Sequence, residues 1–201
     1  TVTVAEAAGG FSLLTEGISL PAGKVTLEQR AADAFFHRLG RPVPGLEVRL
    51  AKRVPAYAGL GGGSADVADS LTRFAMAQRE IGLAVGSDVP FCVRGGTCLA
   101  EGRGEILTDL PPLPDCAIVL CKPDFGLPTP ELFARLDGAD LGPRPDTAAM
   151  AAALARGDLA AAAACLGNVF ERVLTEEEGE EIRSIKEALL RHGALGAAMS
   201  G

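Results

Sequence analysis

Aromatic and basic residues are scarce in this sequence of 201 residues. It contains no tryptophan and a single tyrosine, and aromatic residues make up only 4% of the chain. The formal net charge is −7, and no run of Lys or Arg is present. Because a nucleic-acid-binding surface normally carries a basic stripe, we predict no nucleic-acid partner. A hydrophobic content of 48% with few aromatics suits helices packed on a sheet better than a β-sandwich.

Long apolar runs and metal-binding cysteine pairs are also missing. No apolar segment reaches the length of a membrane span and no signal peptide is visible, so we predict no membrane partner. The five cysteines include no Cys-x-x-Cys pair, and only two histidines accompany them, which argues against a structural zinc site. An odd number of cysteines is typical of reduced thiols, and we therefore predict a cytoplasmic protein.

Hydrophobic periodicity predicts an α+β protein. Alternating character predicts strands in TVTVAEA, FSLLTEG and LEVRLAKRVP, while CAIVLCKP has the pattern of a buried strand and the terminal GAAMSG is strand-like. Helices are predicted in TLEQRAADAFFHRLG, from about Ser64 onward, in TPELFARLD, twice in the alanine-rich segment 147–174, and in EEEGEEIRSIKEALLRHGAL. A hairpin with its turn at residues 102–104 precedes a proline-rich break. We place a domain boundary at that break, near Pro112.

The segment VPAYAGLGGGSADVADSL, residues 54–71, concentrates four glycines before a predicted helix. It is not a Walker A loop, because Ser64 follows Gly63 without an intervening Lys. It is not a dinucleotide fingerprint either, because Ser64 stands where the third glycine belongs. The physical basis of both motifs is nevertheless present. Glycines let backbone N–H groups converge on phosphate oxygens, and the helix start that follows favours an anion.

Two polar residues of this segment admit more than one role. Ser64 either caps the helix or turns its hydroxyl towards a phosphate or a magnesium ion. Asp66 is either a surface acid that suits the helix dipole or a group in the surroundings of that metal. A flexible glycine loop with Ser64 as a simple helix cap is the explanation that needs no ligand.

The segment PAYAGLGGGSADVA resembles the nucleotide loop of the GHMP small-molecule kinases. Four further segments resemble, in the same order, the members of that family that act on 4-diphosphocytidyl-2-C-methyl-D-erythritol in non-mevalonate isoprenoid biosynthesis: GSDVPFCVRGGTCLAEGRGEIL, FGLPTPELFARLD, LGNVFERV and GALGAAMSG. The resemblance implies an ATP-dependent kinase with a two-domain fold. Residues 1–112 would form an ATP-binding, ribosomal-S5-like α/β domain, and residues 113–201 a ferredoxin-like α/β substrate domain.

The resemblance also assigns roles to individual residues. Asp88, in GSDVPF, takes the position of the catalytic aspartate, and Thr129 and Phe133 belong to the substrate pocket. Ser64 would lie near Mg²⁺, the ion that accompanies ATP in this family. The ATP phosphates would be held by the loop formed of Pro55, Ala56, Tyr57, Ala58, Gly59, Leu60, Gly61, Gly62, Gly63, Ser64 and Ala65.

Each of these roles has an ordinary structural alternative. Asp88 fits an Asx-turn or a helix cap, Thr129 fits a helix N-cap, and Phe133 fits a core position. The alternative functions are another GHMP kinase, acting on homoserine, mevalonate or a sugar, and a nucleotide-binding relative without catalysis. GSDVPF and PTPELF argue against a different substrate, since the resemblance places substrate-side features there. We expect a monomer or a weak homodimer.

The sequence also departs from the family. The family begins with a Lys-x-Asn strand and a Gly-Tyr-His segment, which supply the catalytic lysine and substrate contacts, and this sequence contains neither. The interval between the glycine loop and GSDVPF is shorter than in the family, and the chain stops at Ser200-Gly201 within the third family motif, Gly-Ser-Gly-Pro-Thr. We therefore expect that the sequence derives from a longer protein and that the domain at 113–201 is incomplete.

Overall fold

The computed structural model describes residues 1–17, 25–54, 59–73 and 83–200, with the backbone alone for 71–73. The chain divides into two compact units. The N-terminal unit comprises Thr1–Ala56 and Gly61–Thr108, and the C-terminal unit comprises Tyr57–Leu60 and Asp109–Gly201. The domain limits 1–112 and 113–201 stay a prediction, and each unit is described by itself below.

The N-terminal unit contains a three-stranded sheet, and the three strands predicted in this region are confirmed. The strands are β1 (Val2–Glu6), β2 (Phe11–Gly17) and β3 (Leu46–Lys52), in the spatial order β1-β3-β2. The central strand β3 is antiparallel to β1 and parallel to β2. Its buried side chains alternate, as expected for a sheet covered on one face, and the buried set ends with a lysine: Leu46, Val48, Leu50 and Lys52.

The N-terminal unit contains the helices α1 (Leu27–Arg38), α2 (Gly62–Arg73) and α3 (Val89–Arg94), and residues 83–85 are helical as well. Helix α1 begins as predicted, with the Thr26 hydroxyl accepting a hydrogen bond from the Gln29 N–H, and it ends before Gly40, whose φ is +64°. One apolar cluster joins α1, α2 and the residues around the start of α3, and its buried members are Ala31, Phe35, Val67, Ala68, Val85 and Val89.

A hairpin completes the N-terminal unit and confirms the prediction for this segment. Strand β4 (Cys98–Glu101) and strand β5 (Ile106–Asp109) pair as a two-stranded sheet. In the turn between them, the Arg103 N–H donates to the Glu105 carboxylate at 2.6 Å. Glu105 therefore serves the turn itself, as expected for a hairpin charge.

The C-terminal unit contains the helices that the sequence predicts. They are α4 (Thr129–Leu136), α5 (Thr147–Ala155), α6 (Leu159–Ala164) and α7 (Glu176–Arg191), with a short 3₁₀ helix at Val169–Arg172. Asp146 and Asp158 accept hydrogen bonds from the backbone at the starts of α5 and α6. Glu178 and Thr175 form a reciprocal capping box at the start of α7. Among the described helices, none combines the length and apolar character needed to cross a bilayer.

The prediction of a buried strand in CAIVLCKP is wrong. Residues 116–123 have no regular secondary structure, and the side chains of Ile118, Val119 and Leu120 are 72%, 69% and 66% exposed. The described part of GAAMSG, residues 196–200, is not a strand either. A strand requires a neighbour to bond its backbone, and the described residues that follow β5 contain no other strand.

Candidate functional site

The glycines at the start of helix α2 have two different structural environments. Gly61 has a φ of +61°, which favours glycine, and open space lies beside it. Gly62 and Gly63 lie inside the helix, where neighbouring side chains crowd the backbone: an added Cβ would stand 2.8 Å from Val54 Cγ1 at Gly62 and 2.9 Å from Leu27 Cδ1 at Gly63. The first turn of α2 can therefore pack closely, and its first N–H groups have no acceptor within the helix.

Ser64 lies within the first turn of α2, two residues after the helix begins. The predicted helix start was therefore late, and the interpretation of Ser64 as an N-cap is wrong, because Gly61 occupies the capping position. The Ala65 N–H donates to the Gly61 carbonyl at 2.9 Å, which closes the first helical turn. The Ser64 hydroxyl thus projects from the turn whose N–H groups would face an anion.

Asp88 lies on a rigid turn immediately before α3. The Val89 N–H donates to the Gly86 carbonyl at 3.2 Å, and the Cys92 N–H donates to the Asp88 carbonyl at 3.0 Å. Val89 is 1% exposed, so the turn is anchored in the core directly beside Asp88. Asp88 occupies the capping position of α3, but its side chain makes no capping hydrogen bond and is exposed. The helix-cap alternative therefore does not account for this carboxylate.

The fold brings the Gly86–Asp88 turn close to Ser64. A Cβ built at Gly86 would stand 3.8 Å from Ser64 Oγ, so the backbone of the turn adjoins the hydroxyl. The cause is the shared core: Val67, one turn after Ser64, and Val89, next to Asp88, belong to the same buried cluster. Two segments that the sequence separates by more than twenty residues thus lie side by side in the N-terminal unit.

The β4–β5 hairpin also contacts the turn that carries Asp88. Gly104 has a φ of +113°, and a Cβ at this position would stand 2.2 Å from the Ser87 carbonyl oxygen. Only glycine allows the β4–β5 turn to lie this close to the residue before Asp88.

The charge of Asp88 affects the pKa of the neighbouring Cys92 thiol. Burial raises the pKa of the Cys92 thiol, and the negative charge of Asp88 raises that pKa further. A thiol with a raised pKa is a poor nucleophile at neutral pH. Cys92 packs against the apolar cluster of the N-terminal unit and is a packing residue.

Sequence reasoning missed an ion pair beside the site. Lys52 Nζ lies 2.6 Å from Asp66 Oδ2, and the two side chains are only 7% and 17% exposed. Asp66 is thus not a surface acid, and its place in the surroundings of a metal ion stays a prediction. The signal was available: Lys52 continues the every-second-residue series of buried positions along β3, so its side chain had to enter the interior.

The donors of this site fit a magnesium ion that arrives with a nucleotide. Mg²⁺ in phosphate sites is usually bound by one or two protein oxygens together with phosphates and waters. The Ser64 hydroxyl, in the first turn of α2, is an oxygen group of that kind. Within the described ranges, no three His, Cys, Asp or Glu side chains gather into a metal-binding cluster.

The remaining residues of the predicted nucleotide loop are only partly described. Pro55, Ala56, Tyr57 and Ala58 lie outside the described residues. Gly59 and Leu60 belong to the C-terminal unit. There the Ser200 hydroxyl, in the terminal motif, donates to the Gly59 carbonyl at 2.8 Å.

Thr129 and Phe133 lie on helix α4 of the C-terminal unit. Pro128 occupies the capping position and Thr129 is the first helical residue, so the N-cap alternative for Thr129 is wrong. Phe133 is 58% exposed and contacts Phe170 edge to face, with ring centroids 5.1 Å apart. The core alternative for Phe133 is therefore wrong as well, because more than half of its surface remains open.

A cavity of about 710 Å³ in the C-terminal unit contains none of the predicted site residues. Two of its basic side chains already have local partners: Lys186 pairs with Glu171, and Arg172 donates to the Pro143 carbonyl at 2.5 Å. We assign no role to this cavity.

Two family models match the chain. The model of the GHMP kinases N terminal domain matches residues 26–96. This range includes both the glycine segment and Asp88. The model of the GHMP kinases C terminal matches residues 150–201.

Individual relatives carry a more specific name. The chain is 45% identical to the 4-diphosphocytidyl-2-C-methyl-D-erythritol kinase of Pelotomaculum thermopropionicum, over 97% of this chain and 70% of the relative. It is 42% identical to the kinase of the same name from Moorella thermoacetica, over 96% of this chain and 70% of the relative.

Solved structures agree with these matches. A crystal structure of 4-(cytidine 5'-diphospho)-2C-methyl-D-erythritol kinase matches all of this chain and 72% of its own, with a TM-score of 0.68 at 28% identity. The homoserine kinase of Cytophaga hutchinsonii matches 97% of this chain and 70% of its own, with a TM-score of 0.55. At 16% identity, the second likeness concerns the fold alone.

Proposed function

The chain belongs to the GHMP kinase family, and we propose that it transfers the γ-phosphate of ATP to the 2-hydroxyl of 4-diphosphocytidyl-2-C-methyl-D-erythritol. The proposal places the enzyme in isoprenoid precursor biosynthesis by the non-mevalonate route. The observation that carries it is the approach of the Gly86–Asp88 turn to Ser64, which brings the turn that carries Asp88 to the glycine-rich start of a helix.

The start of α2 supplies the phosphate-binding part of this proposal. Its first N–H groups, at Gly62, Gly63 and Ser64, have no acceptor within the helix and point out of its positive end. Negatively charged phosphate oxygens are the natural acceptors for such groups. A magnesium ion bound with the nucleotide would neutralise phosphate charge, with the Ser64 hydroxyl as its protein oxygen.

Asp88 supplies the acid–base part. The substrate hydroxyl oxygen forms a bond to the γ-phosphorus while the bond from that phosphorus to the β-phosphate oxygen breaks, and ADP leaves. The hydroxyl proton passes to the carboxylate of Asp88, which is exposed and can release it to water. The core-anchored turn at Gly86–Val89 fixes the backbone from which that carboxylate extends, as in-line transfer requires.

Helix α4 supplies the substrate-binding part of the proposal. The Thr129 hydroxyl is not engaged as a helix cap and can bond the substrate. The exposed ring of Phe133 packs edge to face with Phe170, and its open surface can stack on cytosine. Stacking of a base on an aromatic ring stabilises a complex by about 1–3 kcal/mol.

The test is to identify the phosphorylated product by ³¹P NMR. The full-length protein is incubated with ATP, Mg²⁺ and one acceptor at a time: 4-diphosphocytidyl-2-C-methyl-D-erythritol, homoserine, mevalonate or galactose. We expect a new phosphomonoester signal with the first acceptor alone. A phosphomonoester formed from another acceptor, with none from the first, would overturn the substrate assignment.

We also propose that the enzyme works in the cytoplasm as a monomer or weak homodimer. The cysteines are thiols rather than disulfides, which agrees with a reducing compartment. Light scattering of the full-length protein over a range of concentrations will measure its oligomeric state.

A further inference from the structure

We infer that the buried ion pair between Lys52 and Asp66 positions the start of α2 for nucleotide binding. This inference rests on the proposed function, because it assumes that the start of α2 holds the ATP phosphates. It assigns Lys52 a positioning role that acts through Asp66.

The pair joins residues that lie on either side of the four glycines in the sequence. Lys52 is the last residue of β3, Asp66 is the fifth residue of α2, and fourteen positions separate them. Lys52 Nζ and Asp66 Oδ2 are 2.6 Å apart, and both side chains are largely shielded from water. A direct charged hydrogen bond of this kind fixes both a distance and a direction between the strand and the helix.

Each partner is itself held in place. Lys52 pairs with Gly17 of β2 across the sheet, and a Cβ at Gly17 would stand 2.4 Å from the Lys52 carbonyl oxygen. On the helix side, the Ser70 hydroxyl donates to the Asp66 carbonyl at 2.9 Å, and Val67 is fully buried. The pair therefore fixes the first turns of α2 relative to the sheet.

Stability alone does not explain this pair. Replacing a buried ion pair by apolar residues of similar volume is often neutral or stabilising, because the charges lose their hydration. An apolar replacement loses the directional hydrogen bond that orients α2 relative to β3. This orientation matters because the N–H groups one turn away must meet phosphate oxygens.

The pair also has an electrostatic consequence for an anionic ligand. An unpaired Asp66 carboxylate, one turn beyond Gly62, would repel phosphates bound at the helix start. Lys52 cancels that charge. We therefore expect removal of Lys52 to weaken nucleotide binding more than removal of the Asp66 charge does.

The experiment measures the dissociation constant of a fluorescent ATP analogue and the melting temperature for the full-length protein and its variants. The variants are Lys52→Met, Asp66→Asn, the double variant, and the conservative Lys52→Arg. The matched control is Glu47→Gln with Arg49→Met, which removes an ion pair of 2.8 Å on the same strand, with Arg49 64% exposed.

We expect Lys52→Met to raise the dissociation constant about tenfold, since it leaves an uncompensated buried carboxylate near the phosphates. Asp66→Asn should raise it about threefold, and Lys52→Arg should remain within about twofold of wild type because the charge is kept. The double variant should bind better than Lys52→Met, since no buried charge remains unpaired. The control variant should bind as wild type does.

Three results would overturn the inference, and the experiment distinguishes them. If wild type binds the analogue and the folded variants bind equally well, the pair is only structural and the proposed function stands. If wild type binds no nucleotide, the proposed function fails and the inference fails with it. Should Lys52→Met not fold, wild-type affinity in Asp66→Asn and in the double variant would overturn the inference.

Discussion

At the scale of single residues, the glycines before α2 divide into two kinds. Gly61 has a positive φ, which glycine adopts most readily, whereas Gly62 is required by the closeness of Val54. Val54 is β-branched, so its side chain has few other rotamers to adopt when an extra atom arrives. Glycines that look equivalent in the sequence therefore differ in the cost of replacement.

We predict that Gly62→Ala destabilises the protein by about 1–3 kcal/mol, because overpacking against Val54 outweighs the gain in helix propensity. Gly61→Asn should lie within about 1 kcal/mol of wild type, because asparagine tolerates a positive φ and open space surrounds the position. Denaturant unfolding of both variants measures the difference. Equal stability of Gly62→Ala and wild type would contradict the packing argument.

Residue-level prediction from the sequence succeeded where the backbone pattern decides. The family resemblance placed Ser64 and Asp88 in one site, and the structure brings Ser64 close to the turn that carries Asp88. Lys52 was missed although strand alternation indicates that it is buried. The capping roles of Ser64 and Thr129 were wrong because each residue lies inside its helix: α2 begins at Gly62, and Thr129 is the first residue of α4.

At the scale of elements, one carboxylate connects two helices of the C-terminal unit. Arg135 on α4 donates to both oxygens of Glu178 on α7, at 2.6 and 3.2 Å. Glu178 also accepts from the Thr175 N–H at 2.8 Å within its capping box. The hydrogen bonds from Arg135, and then those at Thr175, hold the pKa of Glu178 below its usual value.

We predict that Glu178→Gln lowers the free energy of unfolding at neutral pH by about 1–2 kcal/mol, because it removes a charged hydrogen bond and weakens a cap. A carboxyl whose pKa is lowered by folding stabilises the protein above its unfolded pKa, and this stabilisation disappears as pH falls through the folded pKa. The wild-type advantage should therefore shrink in acid.

The control for this prediction is Glu187→Gln on the same helix. Glu187 pairs with Arg191 at 3.7 Å, but both side chains are about two-thirds exposed, so the change should stay within about 0.5 kcal/mol. Thermal unfolding of both variants at several pH values measures the contrast. A Glu178→Gln effect that grows as pH falls would contradict the predicted direction of the pH dependence.

The hairpin offers a second element-scale prediction, because Gly104 abuts Ser87. Gly104→Ala must push the Ser87–Asp88 backbone away, and a misplacement of about 1 Å can lower kcat by about 100-fold. Nucleotide affinity should change little, since α2 is untouched. The matched control is Gly102→Ala, which has a positive φ as well but meets only the flexible Glu105 side chain. Equal kcat values for the two variants would refute the supporting role of the hairpin.

The failed strand prediction at CAIVLCKP also belongs to the element scale. An apolar run indicates burial only when another element covers it, and sequence pattern does not report whether that partner is present. Helices α4 to α7 satisfy their own backbone groups and were predicted well. Strands depend on neighbours that are distant in sequence, so they are harder to predict from one segment.

At the scale of the whole molecule, an acidic chain must bind an anionic nucleotide. The net charge of −7 gives no general attraction for ATP, so affinity has to come from local donors. The start of α2 provides such donors, and the Lys52–Asp66 pair keeps a nearby carboxylate neutralised. Composition therefore could not locate the nucleotide site, which depends on where one helix start and its neighbours lie in the fold.

The most direct measurement is ADP release by the full-length protein with Mg²⁺, ATP and 4-diphosphocytidyl-2-C-methyl-D-erythritol, run side by side for wild type and Asp88→Asn. We predict acceptor-dependent release by wild type and a fall in kcat of about 10²–10⁴-fold in Asp88→Asn, because the proton acceptor is lost. Nucleotide affinity should remain within about twofold, since Asp88 does not hold the phosphates. Wild-type kcat in Asp88→Asn would contradict the assignment of Asp88 as the catalytic base.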